Sequence, residues 1–232
     1  MKNSVLIALL TGLLFFALAA EATQTNTVNL TPGVTIPNAN PVGISESFDI
    51  TGATGVVQDV SINLNISGGF NGNLYAYLTG PEGQLAVLFN RVGVTAGNPY
   101  GYFDSGFNLT LDGAATNNIH DYQSIGYSTS SGQVTGIWQA DGRNISPTNS
   151  GSVFDSAPTT SGLNVFQGTA ATGVWTLFVA EFGSAGDTVT LNDAGITVLT
   201  APEPGTWALL GTGVAVMYFW HRQAGAKAKS QA

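Results

Sequence analysis

Apolar and polar positions alternate along much of the chain. In Asp59–Ile66, Val60, Ile62, Leu64 and Ile66 fall on one side and Asp59, Ser61, Asn63 and Asn65 on the other, the period of two expected of a half-buried strand. Leu74–Thr79 repeats the pattern, opposing Leu74, Ala76 and Leu78 to Tyr75 and Tyr77, and Leu85, Val87 and Phe89 mark the next strand. The linking Thr79-Gly80-Pro81-Glu82-Gly83-Gln84 suits a hairpin, because Pro81 presets φ and Gly83 accepts positive φ. Further strands are predicted at Phe107, Leu109 and Leu111, at Trp175, Leu177 and Val179, and near Ile196–Leu199. Between the two ends no long segment carries a 3.6-residue period. Six or more short strands split by Gly-, Asn- and Ser-rich turns predict an all-β fold, an antiparallel β-sandwich or jelly roll with two sheets face to face. Thr23–Asn40 reads as a polar edge segment. Asn117–Pro158 reads as long loops with one short strand, in which Gly136-Ile137-Trp138 is the buried part.

The ends follow other rules. Met1 to about Ala22 has one charge, Lys2, then an apolar run from Val5 to Leu18, then two Ala-x-Ala sites, Ala17-Leu18-Ala19 and Ala20-Glu21-Ala22. This predicts a helical signal peptide over residues 1–22 that signal peptidase removes. At the other end Pro202-Glu203-Pro204 precedes an apolar segment over residues 207–220 and a tail with His221, Arg222, Lys227 and Lys229 and no acid. As a helix the segment is about 21 Å long, short of a bilayer core of about 30 Å, so it makes a marginal anchor. The basic tail should stay cytoplasmic and leave the body outside. Residues 201–232 resemble the PEP-CTERM sorting signal of Gram-negative bacteria. That resemblance implies export, transient inner-membrane anchoring, processing by an exosortase, and release or transfer to the cell surface or extracellular matrix. The usual basic cluster is diluted here by Gln223, Ala224, Gly225, Ala226 and Ala228. A plain single-pass anchor is the other reading of this end.

Composition narrows the chemistry. The 232 residues contain no Cys, which removes disulfides, CxxC redox chemistry and Cys-ligated zinc. Setting the ends aside leaves a body over residues 23–200 with twelve acids against Arg91 and Arg143, a net charge near −10. No nucleic-acid partner is expected of so acidic a body.

Two stretches of the body, Gly68–Gly93 and Gly173–Val198, resemble the P domain (P/Homo B domain) of proprotein convertases. The likeness rests on Gly72-Asn73-Leu74, Pro81-Glu82-Gly83 and Gly173-Val174-Trp175-Thr176-Leu177, and it is strongest over residues 36–199. It implies a jelly-roll sandwich that accompanies subtilisin-like serine endopeptidases and also occurs without them in bacterial surface proteins. Asn73 stands where that family has Asp. Ala194 stands where a Trp is usual, leaving a gap for neighbours to fill.

No catalytic residue is expected. A serine-protease triad needs a proton-shuttling His. His221 lies in the tail, and His120, in Asn118-Ile119-His120-Asp121, reads as a surface or loop histidine beside an acid. No Gly-x-Ser-x-Gly elbow occurs. Paired carboxylates of the glycosidase kind are too easily found among twelve acids to be specific. Asp59 reads as a solvated outward side chain. Calcium is the candidate metal: Glu181 and Asp187 bracket the loop Phe182-Gly183-Ser184-Ala185-Gly186, where carboxylates and carbonyls could meet a hard cation, and the resembling family includes calcium binders. The alternative is a negative surface that keeps an exported protein soluble. Asp104, Asp112 and Asp121 lie in other loops. Tyr75 and Tyr77 on one strand face, with Tyr100, Tyr102, Tyr122 and Tyr127 in loops, allow sugar stacking or ordinary sheet packing. The Asn-x-Ser/Thr triplets at Asn29, Asn65, Asn108 and Asn144 read as plain polar residues in a bacterial chain. The expectation is a non-catalytic exported module that binds protein or polysaccharide. A lectin-like domain for exopolysaccharide is the alternative, and an accessory module of serine endopeptidases a third reading.

Overall fold

Among the described residues eleven strands make two sheets, and each predicted strand of the body lies in one of them. The larger sheet holds β1 (Gln24–Leu30), β2 (Val34–Ile36), β4 (Val56–Ser67), β7 (Phe107–Asp112), β8 (Ser128–Ser130), β9 (Gln133–Trp138) and β11 (Val189–Ala201). Its order is β1-β11-β4-β7-β9-β8, with β2 also on β11. The smaller sheet runs β3 (Asn40–Ile50), β10 (Gly173–Glu181), β5 (Leu74–Thr79) and β6 (Leu85–Asn90). All pairs are antiparallel except β7 with β9. The result is an open two-sheet β-sandwich, as the alternation predicts. The computed structural model describes residues 23–183, 188–201, 211, 213–218 and 220. The expected signal peptide, Ser184–Asp187, Pro202-Glu203-Pro204, Arg222, Lys227 and Lys229 lie outside the described residues.

The core follows from the pleat. Val60, Ile62, Leu64 and Ile66 of β4 and Ile196 and Val198 of β11 point inward and meet Trp175, Leu177 and Val179 of β10 and Leu74, Ala76 and Leu78 of β5. Trp175 is sealed, its Nε1 donating to the Ala171 carbonyl at 2.9 Å and its ring edge-on to Phe166. Phe89 and Phe107 stack across the sandwich with ring centres 4.4 Å apart. Ala194 is buried between its register partners Leu30 and Leu64, apolar neighbours on both flanking strands. The β5–β6 turn closes as expected: Gly83, at φ +87, donates to Gly80, and Gly80 donates to Gln84. β1 is an edge strand, as the polar N-terminal segment predicts.

Asn117–Pro158 differs from its prediction. It contains a turn at Ile119–Asp121, two short helices, α1 (Tyr122–Ile125) and α2 (Gly151–Ser156), and two strands. Ile119, His120, Tyr122, Ala140, Asp141 and Phe154 are buried. Successive strand residues face opposite sides, so Ile137 and Trp138 cannot both be inside. Trp138 is buried and Ile137 is 68% exposed.

Residues 23–201 form one compact unit, and the C-terminal segment belongs to another. In that segment residues 211, 213–218 and 220 are helical, with Val214, Met217, Tyr218 and Trp220 exposed. Among the described residues no helix is long and apolar enough to cross a membrane.

Candidate functional site

His120 is not a surface residue. It is 1% exposed in the turn that Asn118 opens by accepting its backbone N–H at 2.9 Å. The acid beside it is Asp141, not the adjacent Asp121: Nδ1 lies 2.7 Å from Asp141 Oδ2, while Nε2 lies 3.1 Å from the Val94 carbonyl oxygen. The ring stacks on Phe154. Asp141 is fully buried and also accepts from the Asn90 backbone N–H and from Arg143, whose Nη1 lies 3.1 Å from Oδ1. Both ring nitrogens are therefore occupied, one by a carboxylate and one by a carbonyl, and among the described residues no hydroxyl group hydrogen-bonds to the ring. The arrangement ties the segment after β6 and the turn before α1 to the one after β9. The sequence held no local sign of it, because Asp141 lies 21 residues beyond its partner.

The calcium candidates divide. Glu181 closes β10 and is fully buried, with its Oε1 3.7 Å from where a Cβ on Gly69 would lie. Asp187 lies outside the described residues. Among the described residues no three His, Asp or Glu side chains form a metal-binding group. A cation at this end would thus rely on Glu181, Asp187 and loop carbonyls.

Other acids find neutral partners or one another. Asp104 accepts from the Tyr122 hydroxyl at 2.8 Å, the Tyr127 hydroxyl at 3.0 Å and the Gln123 amide. Burial, foremost, pushes the Tyr122 hydroxyl far above its ordinary range, whereas the hydrogen bond to Asp104 is the main cause of the rise at Tyr127. Asp59 is less free than an outward strand residue suggests. Partial burial and then repulsion from Asp112 raise its carboxyl above 3.8, against the lowering effect of the Val60 N–H it accepts. The two cations serve structure. Arg91 donates to the Gly72, Pro147 and Pro99 carbonyls, and its burial lowers its pKa.

The tyrosine stripe resolves into packing. Tyr77 and Phe178 stack at 4.7 Å and 18°, while Tyr75 sits edge-on to Tyr77, Phe178 and Phe182. The stack on Phe178 covers one face of the Tyr77 ring, and the edge contacts of Tyr75 join the two strands' rings into one aromatic group.

Comparison with known proteins assigns the end of the chain. Residues 200–223 match the PEP-CTERM protein-sorting motif. The protein carries an export and sorting signal. The match takes in Pro202, Glu203, Pro204 and Arg222, whereas Lys227 and Lys229 fall beyond it. Such a motif is read by exosortase-type machinery. Among solved structures, the crystal structures of the serine protease of Aeromonas sobria, alone and in complex with its chaperone, align with 14% identity and a TM-score of 0.42. They cover 77% and 78% of this chain, which spans 27% of theirs. So distant a likeness establishes no shared activity. No curated protein sequence matches the chain.

Proposed function

We propose that residues 23–200 form a non-catalytic, P-domain-like interaction module, which the C-terminal signal delivers to the cell surface or extracellular matrix of a Gram-negative bacterium. The observation that carries the reading is a sorting motif joined to a sandwich whose one histidine is sealed between a carboxylate and a carbonyl. A buried imidazole with both nitrogens engaged has no position from which to take a proton from a nucleophile at a substrate. The P-domain likeness rests on the sequence motifs: Gly72-Asn73-Leu74 leads into β5 and Gly173–Leu177 opens its neighbour β10. Signal peptidase and an exosortase are the processing partners, with a surface protein or exopolysaccharide as the bound one. The same likeness leaves an accessory role beside a serine endopeptidase as the second reading.

Calcium enters as a stabiliser of the loop after β10, supported by the buried carboxylate of Glu181 at its start. Ligand binding to the folded state raises Tm, so millimolar calcium should raise it; an unchanged Tm ends the idea. The absence of a reaction centre is tested by incubating the purified protein with peptide and glycan substrate panels. No turnover is expected, and turnover abolished by substituting a body residue would contradict the proposal.

A further inference from the structure

The outer face of the larger sheet carries two polar rows set by strand register. One runs Asn29, Gly195, Asn63 and Thr110 across β1, β11, β4 and β7. The next runs Asp193, Asn65, Asn108 and Thr135 across β11, β4, β7 and β9. Neighbouring strands lie about 4.8 Å apart and the rows about 7 Å apart. A groove of about 300 Å³ lies along part of both rows, lined by Asn29, Gly195 and Asn63 of the first and Asp193, Asn65 and Asn108 of the second, at the small end of ligand clefts. Gly195 lines it, and Asn29 Oδ1 lies over Gly195 where a side chain at that position would collide with it.

Asparagine is a poor strand former, yet four of these strand-interior positions have it. A face that only needs solvation is better served by Thr, and a local rule broken repeatedly on one surface points to function. The amides are also incompletely used. Asn63 Oδ1 accepts from Thr110 at 2.6 Å, but its Nδ2 has no acceptor among the described residues. Asn65 is held by Asp193, Gln133 and Asn192. Asn29, Asn108 and Asp193 Oδ1 make no side-chain hydrogen bond among the described residues. The face thus presents amide donors beside carbonyl and carboxylate acceptors, the inventory that pairs with hydroxyl groups able to do both.

Charge selects among hydroxyl-rich partners. The rows contain no cation, and both body arginines are bound elsewhere to carbonyls or to Asp141. A body near −10 repels anionic polymers. Exposed Ile137, the register partner of Thr110, ends the first row with an apolar step that suits the C–H face of a sugar ring. We infer that this face binds a neutral polysaccharide chain, gripped by Asn29, Asn63 and Asn108. The inference rests on the module reading above and names its ligand class.

The test is titration of the full chain with neutral gluco-, galacto- and manno-oligosaccharides and with an oligouronate, read by calorimetry and by the side-chain amide signals of asparagine in NMR. At least one neutral sugar should bind and shift those signals. The N29T/N63T/N108T variant should lose about tenfold or more in affinity, equivalent to about 1.4 kcal/mol, while keeping or raising Tm because Thr favours strands. The inference is overturned if no neutral sugar binds, if only the oligouronate binds, if the variant binds as well as the parent, or if the face instead mediates self-association. In each of those cases the non-catalytic reading stands or falls separately, on turnover.

Discussion

At the scale of single residues, the body disposes of its charges in two ways. Asp141 is buried and answered by His120 and Arg143, so its removal leaves an imidazole and a guanidinium without their acceptor. Removing one partner of a buried pair costs about 3–5 kcal/mol. Asp141→Ala should therefore lower the urea midpoint strongly, and a midpoint equal to that of the parent would contradict the burial. Asp59 behaves in the opposite sense. Its folded carboxyl is raised above 3.8 by burial and by Asp112, so its contribution to stability is full below pH 3.8 and is lost as pH rises through the folded value. Asp59→Asn should be more stable than the parent at neutral pH, with a margin that shrinks toward pH 3. Because the group is only partly buried, the gain is small and weakens in salt. Tm measured from pH 3 to 7 checks it, and a margin independent of pH would contradict the repulsion.

Elements show which residues hold the two layers together. In β10, Trp175 is fully buried while Val174 beside it is half exposed. Trp175→Ala should cost about 3–5 kcal/mol, and Val174→Thr should stay within about 0.5 kcal/mol of the parent; equal effects in chemical denaturation would contradict the facing of the strand. Most such strands were legible, since a period of two in β4, β5, β7 and β10 leaves one arrangement of faces. β3 was not, because Glu46 interrupts the apolar series of Ile44, Phe48 and Ile50. The region 117–158 was harder. Its buried residues sit in single turns with no period, and polar bonds between distant residues hold them, as when Asn118 donates to the Ala140 and Asp141 carbonyls. The asparagine rows were hidden for a related reason. Each member looks like an ordinary outward strand residue, and only the pairing of β1, β11, β4 and β7 sets them side by side.

For the whole molecule, the division of labour is between a β-sandwich body and a C-terminal sorting motif. The sorting motif begins at residue 200, on the last residues of β11, so little chain separates the module from the signal that delivers it. Delivery is the premise of every role argued for the body, and mass spectrometry of the protein recovered from the cell surface and culture medium tests it most directly. The expected species begins after Ala19 or Ala22 and has lost or exchanged the residues that follow the Pro202-Glu203-Pro204 motif. Recovery of only the unprocessed 232-residue chain, confined to the cell interior, would contradict the account.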